Sequence, residues 1–312
     1  MNVLLIDVDR GADRRNTIPN LALMKISAWH KAQGDKVFFG ECEKPDHVYA
    51  ASVFTKNTLR REQVAAVYPN AITGGTGYDL TTELPDEIEV MRPDYDLYDI
   101  DYGIGMTSRG CIRKCSFCVV PKKEGSIKSV RMIEKIINPK SRNVTLLDNN
   151  FFAQPRWRER IEEIKHYKLK VDFNQGLDIR LLDLEQAQAL KDINPPYIRF
   201  AFDNVKLEKQ VQRGIDLLRE VNYSINRNRI GLYVLTGYNS THEEDLYRCE
   251  WLHDQNINTH VQVYEGAPQI TRHLARWGNQ PRLWAQIAFS QYEPYIKYQE
   301  KAKTQALFEE DR

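Results

Sequence analysis

The chain has 312 residues, 42% hydrophobic and 28% charged, with 44 Lys and Arg against 43 Asp and Glu and a net charge of +1. This composition excludes an intrinsically disordered chain, and the near-neutral balance removes any global pull toward nucleic acid or an anionic membrane. No apolar run reaches membrane-span length, the opening MNVLLIDVDR has neither a basic n-region nor a cleavage site, and five cysteines with three clustered are no disulfide framework. A reducing, cytoplasmic protein with no membrane partner is expected.

Taken in order, residues 2–8 (NVLLIDV) read as an apolar strand, followed by the polar DRGADRR. Residues 21–33 carry Leu21, Met24, Ile26 and Trp29 near helical spacing, Gly34 suits a helix stop, and residues 36–39 begin a second strand. Residues 47–54 and 71–75 supply further strands, with a helix over 60–67 between them. Residues 1–78 are therefore expected to form a small Rossmann-like α/β domain. Gly74, Gly75 and Gly77 lack the G-x-G-x-x-G spacing and read as a tight turn. Residues 79–101, with Pro85 and Pro93, read as an irregular linker.

From residue 102 onward, strand and helix alternate. Strands are predicted over 103–107, 144–148, 170–174, 198–203, 229–235 and 259–264. Helices are predicted over 127–137, 156–166, 184–190, 207–221, 243–253 and near 270–277. The predicted fold class is α/β, a partial (β/α)6 TIM-type barrel over 102–280 preceded by the Rossmann-like domain, with residues 281–312 as a helical tail. Chemistry in such folds gathers at the C-terminal ends of the strands.

The stretch after the first of these strands, MTSRGCIRKCSFCVVPKKEG, holds Cys111, Cys115 and Cys118 in the spacing C-x3-C-x2-C. Thiolates this close in one loop are metal or cluster ligands. Structural zinc wants four ligands, whereas Cys42 and Cys249 lie far off and the loop has no histidine. A [4Fe-4S] cluster held by three cysteines keeps one iron without a protein thiolate, and this reading fits the spacing best. A non-catalytic Fe-S or zinc module is the alternative.

C-x3-C-x-aromatic-C, here Cys111, Cys115, Phe117 and Cys118 at the end of the first strand of a repeated β/α chain, resembles the radical S-adenosylmethionine (SAM) superfamily. The resemblance covers about residues 102–277. It implies a [4Fe-4S] cluster whose open iron is chelated by SAM, supply of electrons by a reductant such as flavodoxin or ferredoxin, and SAM cleavage to a 5′-deoxyadenosyl radical that abstracts hydrogen from a substrate. It also implies roles for strand-end residues. Asp148, Asn149 and Asn150, which depart from the common Gly-Gly-Glu form, would receive the SAM ammonium. Asn174 and Arg180 end the third strand, with Arg180 pairing the SAM carboxylate. Asp203 would bond the ribose hydroxyls or face substrate, Gly237 would let the backbone approach the adenine, and Phe117 would lie beside the adenine. The other reading of each strand-end residue is a loop hydrogen bond.

The domain order resembles radical SAM enzymes with a cobalamin-binding N-terminal domain, but the Asp-x-His-x-x-Gly motif is missing and His30 sits inside a predicted helix, so no cobalamin is expected. Methylthiotransferases share the order yet have three more N-terminal cysteines, which argues against that class. GGTGYDL, LPDEIE and YVLTGYNSTHEEDLYR are similar to radical SAM proteins of this type, some of which occur in phage pathways that isomerise a hypermodified thymidine in DNA. From Arg109 to Arg142 ten Lys and Arg stand against two acidic residues, which leaves a nucleic acid or nucleotide open as substrate beside a small molecule or peptide. Arg276, Trp277 and Trp284 supply either a base-stacking surface or packing aromatics.

Overall fold

The computed structural model describes residues 1–10 and 18–310, with side chains described through residue 301. Most of the polar stretch after the first strand and the last two residues of the expected tail thus lie outside the described residues. The chain folds as two compact units, residues 1–149 with 154–171, and residues 150–153 with 172–312.

The first unit opens with β1 (Asn2–Asp7), α1 (Leu21–Ala32), β2 (Lys36–Phe39), β3 (His47–Ala51), α2 (Thr58–Val67) and β4 (Ile72–Gly74). The strands form one sheet in the order β2-β1-β3-β4, every pair parallel. Asn20 starts α1 by accepting from the Leu23 N–H at 3.2 Å, a side-chain cap for an otherwise orphaned donor. Val3 and Leu5 from β1 pack against Leu23, Ile26, Ala51 and Ile88. The four-residue α3 (Asp86–Glu89) and a 3-10 turn at Tyr95–Leu97 lie within the expected linker. That stretch is irregular but not loose. Its Tyr95 and Tyr98 are buried with Met24, Ile104 and Leu147, so one apolar cluster joins α1 to the strands that follow. The GGTG segment is a turn, with the Gly77 N–H donating to the Ser52 carbonyl at 2.8 Å.

Next come β5 (Gly103–Gly105), β6 (Ser108–Arg109), α4 (Val120–Lys123), β7 (Lys128–Ser129), β8 (Asn143–Leu146), α5 (Trp157–His166) and β9 (Lys170–Phe173). A sheet runs β5-β8-β9, in which β5 and β8 are parallel. The expected helix over 127–137 does not form. Lys128 pairs antiparallel with Arg109, and the N–H groups of Val130 and Arg131 donate to the Thr107 carbonyl, so this backbone is committed to the preceding strand. Only a 3-10 turn at Ile133–Lys135 remains.

The second unit continues with α6 (Leu184–Ile193), β10 (Ile198–Ala201), α7 (Glu208–Glu220), β11 (Ile230–Thr236), α8 (His242–Asp254), β12 (Asn258–Val263), α9 (Gln269–Gly278), α10 (Pro281–Trp284) and α11 (Glu293–Glu310). Strands β10, β11 and β12 form a parallel sheet in chain order. The sequence punctuates these helices clearly. Asp183 with Gln186 and Thr241 with Glu244 form capping boxes, and Asn194 ends α6 in the left-handed region at φ 45°. Ile198, Phe200, Ile230, Leu232 and Val234 are fully buried, as strands covered by helices require. Both later sheets follow chain order, as strands of an open (β/α)6 barrel do; no closed barrel forms among the described residues. Nor is any helix among them long and apolar enough to cross a membrane.

Candidate functional site

The cysteine loop leaves β6 and returns at β7, two strands joined through Ser108↔Ser129 and Arg109↔Lys128. Gly110 takes φ +81°, and a Cβ there would stand 2.4 Å from the Ser126 carbonyl oxygen, so the turn into the loop admits only glycine. The Cys111 N–H reaches the Gly125 carbonyl at 3.2 Å and closes the neck. Inside the loop the Cys118 N–H donates to the Cys115 carbonyl at 3.0 Å. The Arg113 N–H donates to the Cys111 sulfur at 3.3 Å. All three cysteines are half-buried thiols outside any disulfide. Phe117, between the second and third, is 37% exposed and is no core residue.

Among the described residues no three His, Cys, Asp or Glu side chains gather closely enough to hold one metal ion, as structural zinc would require.

Asp148, just past β8, is buried and fastens the start of the same loop. Its carboxylate accepts the N–H and hydroxyl of Thr107 at 3.0 and 2.6 Å and the N–H and hydroxyl of Ser108, both at 2.6 Å. Burial raises its pKa, while these four donors pull the other way. Its oxygens therefore serve the backbone beside the cysteines. Asn149 is half-buried, and its Nδ2 has no partner among the described residues.

The other expected strand-end residues belong to the second unit. Asn150 is buried and its Nδ2 approaches the Asp178 carboxylate at 3.5 Å. Arg180 grips Asp178 with two donors, Nε at 2.6 Å and Nη2 at 3.1 Å. An anion arriving at Arg180 thus meets a guanidinium already partly balanced. The Asn174 carbonyl accepts from the Tyr233 hydroxyl at 3.0 Å. Asp203 is half-buried and accepts the Leu235 N–H at 3.2 Å; burial raises its pKa against the opposing effects of that bond, Arg248 and Arg180. Gly237 has φ +73°, and a Cβ there would lie 2.4 Å from the Ala267 side chain.

Sequence reasoning missed the pair that holds these strand ends. Arg248, fully buried in α8, donates to the carbonyls of Phe202 at 2.6 Å and Leu235 at 2.9 Å and to Asp245 at 2.5 Å. Asp245 in turn accepts the Gly237 N–H at 2.8 Å. The pair thereby ties the segments that carry Asp203 and Gly237 to one helix. Its signal was the Asp245–Arg248 spacing of three, which reads equally well as a solvated surface pair.

The structure bears on two readings that the sequence left open. At least five of the ten basic residues between Arg109 and Arg142 are engaged inside the unit. Arg109 meets Glu124 and Glu89, Arg131 meets Glu89, Lys135 meets Glu134, Lys140 meets Asp96, and Lys123 donates to the Thr82 carbonyl. Trp277 and Trp284 are packing aromatics. Trp277 is 2% exposed, and Trp284 stacks on His253 with ring centroids 3.9 Å apart.

No family model matches the chain. Over 97 residues it is 31% identical to the ribosomal protein uS12 methylthiotransferase RimO of Stenotrophomonas maltophilia strain K279a, covering 27% of this chain and 21% of the relative. RimO of Rhodopseudomonas palustris strain BisA53 matches at 26% over 147 residues, or 38% of this chain and 33% of the relative. RimO of Thermotoga maritima matches at 40% over 67 residues, or 22% and 15%. The chain thus spans a third or less of the length of these curated relatives. Among solved structures, it is similar to the cobalamin-dependent S-adenosylmethionine radical enzyme OxsB at 13% identity and TM-score 0.43, over 84% of this chain and 49% of that one. It is also similar to methylornithine synthase (PylB) at 13% identity and TM-score 0.39, over 65% and 67%. Over these partial spans the chain is similar to radical SAM methylthiotransferases.

Proposed function

We propose that the chain is a radical SAM enzyme that abstracts hydrogen from an organic substrate. The observation that carries this reading is the closed cysteine loop, in which Cys111, Cys115 and Cys118 stand as unbridged thiols between paired strands. Those three residues would hold a [4Fe-4S] cluster and leave one iron for SAM. When bound, the cluster supplies the electron that cleaves SAM to methionine and a 5′-deoxyadenosyl radical. The protein's part is to bind and orient. Asp148 fixes the loop rather than touching cofactor, a positioning role that its four donors support. For SAM contact we propose Phe117 beside the adenine, Asn149 and Asn150 toward the ammonium, Asn174 and Arg180 toward the carboxylate, Asp203 toward the ribose or substrate, and Gly237 for backbone approach. The domain division 1–78, 79–101, 102–280 and 281–312 is retained as part of this reading.

Electrons would come from a flavodoxin or ferredoxin. A reducing cytoplasm suits cysteines that are all unbridged. The proposal includes no cobalamin. His30 is 2% exposed and its two ring nitrogens lie 2.8 Å from Asp35 and 3.1 Å from the Tyr49 hydroxyl, so it does not present itself as a ligand. For the substrate, a small molecule or peptide takes precedence over a nucleobase. Internal pairing of half the basic segment withdraws much of the support for DNA, including isomerisation of a hypermodified thymidine. Whether the product step is an isomerisation or a group transfer follows from the substrate.

The test is anaerobic reconstitution. A [4Fe-4S] spectrum lost in a Cys111→Ala, Cys115→Ala, Cys118→Ala variant, with 5′-deoxyadenosine formed from SAM on reduction, supports the reading. Tight zinc with no SAM cleavage sinks it. A red cofactor retained through gel filtration would overturn the cobalamin-free form.

A further inference from the structure

The neck of the cysteine loop is braced by a half-buried charge network that the proposed chemistry does not use. Arg109, the last residue before Gly110, faces Glu124, the last before Gly125. The contact is bidentate, Nε to Oε2 at 2.5 Å and Nη2 to Oε1 at 2.8 Å. This fork-to-fork geometry is the most directional ion pair that side chains make. The two residues enter and leave the loop, so the pair spans its mouth beside the β6–β7 ladder.

The pair does not stand alone. Glu89, in α3, brings one oxygen to Lys25 at 2.7 Å, to Arg131 at 2.9 Å and, more loosely, to Arg109 at 3.4 Å. Arg131 also donates to the Glu89 carbonyl at 2.6 Å. Lys25 comes from α1 and is 2% exposed. Burial lowers its pKa to about 8, with Arg131 adding to the effect and Glu89 opposing it. Burial pushes the Glu89 carboxyl up, but Lys25, Arg109 and Arg131 outweigh it and hold the group low. Lys25 and Arg131 thus share the single carboxylate of Glu89, a local excess of positive charge, while Arg109 is balanced by Glu124 and Glu83. Such networks are expensive to bury and are strongly destabilising to break on one side. Their placement at the mouth of a loop of thiolates gives the expense a purpose.

We infer that Arg109, Glu124 and Glu89 are positioning residues for the cluster: the Arg109–Glu124 fork holds the loop mouth closed, and the excess positive charge of the Lys25–Glu89–Arg131 brace favours the reduced cluster. The inference rests on the radical SAM reading above. It assigns α1 and α3 a part in setting the cluster's properties. A positive surrounding stabilises the more negative redox state, and supporting contacts to a ligand set govern how firmly the metal is kept.

The experiment uses the full chain after anaerobic reconstitution and reads cluster release to a chelator and the midpoint potential, with circular dichroism as the folding control. Arg109→Gln is expected to release its cluster about ten-fold or more faster than wild type, Arg109→Lys less so, and the exchange Arg109→Glu with Glu124→Arg to recover most of the difference. Glu89→Gln, which keeps an acceptor and removes a charge, is expected to move the potential positive, and Arg131→Gln to move it negative. A structural role alone would shift neither potential with opposite sign. If Arg109→Gln retains its cluster within about twofold of wild type, or if both substitutions leave the potential unchanged, the inference is overturned while the radical SAM reading stands. A wild-type chain that takes up no iron–sulfur cluster overturns both.

Discussion

Asp148 accepts both the backbone N–H and the hydroxyl of Ser108, each at 2.6 Å, across forty residues of sequence. Ser108 stands three residues before Cys111, so the end of β8 fixes where the cysteine loop begins. A carboxylate that the chain order suggested for cofactor contact is thus occupied with the fold.

Asp148→Asn replaces an all-acceptor group with one that presents a donor to donors. The expected outcome is a loss of about 2–4 kcal/mol of stability, read by urea denaturation, with weaker cluster retention in the same preparations. Full stability with only SAM affinity reduced would mark Asp148 as a cofactor contact instead.

Arg248→Met keeps volume but leaves Asp245 buried without its partner and uncaps two strand carbonyls. A cost of about 3–5 kcal/mol is expected in equilibrium unfolding. Substituting Asp245 and Arg248 together by apolar residues should recover part of it. Equal losses for the single and double variants would show that the carbonyl contacts, not the charge pair, carry the stability.

Two histidines of the second unit make folding pH-dependent. Burial lowers His253 to about 3, and burial aided by Arg199 lowers His260 to about 4, both from 6.5. The neutral ring belongs to the folded state, so their contribution is full above about pH 6.5 and is lost as pH falls toward 4 and then 3. Denaturation series between pH 4.5 and 7.5 should show stability rising with pH, by up to roughly 1.4 kcal/mol per unit for each histidine. His260→Gln should flatten the slope by its share; an unchanged slope would mean that the ring is not neutral in the fold.

If the five internally engaged cations stay engaged, DNA binding can release few counterions. The plot of log affinity against log salt should be no steeper than about −5 for duplex or modified DNA. A slope near −9, the value for all ten basic residues neutralising phosphates, would show that the pairs open on DNA and would restore the nucleic-acid substrate.

Much of this protein is written locally. The capping boxes at Asp183 and Thr241, the apolar strands β1, β10 and β11, and the C-x3-C-x2-C loop each rest on residues that are neighbours in sequence, and their physics is short-range. The α/β class and the strand and helix alternation from β8 onward were legible for that reason. The helix expected over 127–137 failed because its residues satisfy their backbone on Thr107 and Arg109, a partner more than fifteen residues away that periodicity does not see. The roles of charged groups were likewise decided by tertiary structure. Whether Asp148 meets a cofactor or a backbone, whether Arg131 is a surface cation or a buried brace, and whether Arg248 is solvated or holds two strands all depend on which groups the fold brings within hydrogen-bond distance. Ligand type and spacing are properties of the sequence; the occupancy of a charge is a property of its surroundings, and only the folded chain supplies those.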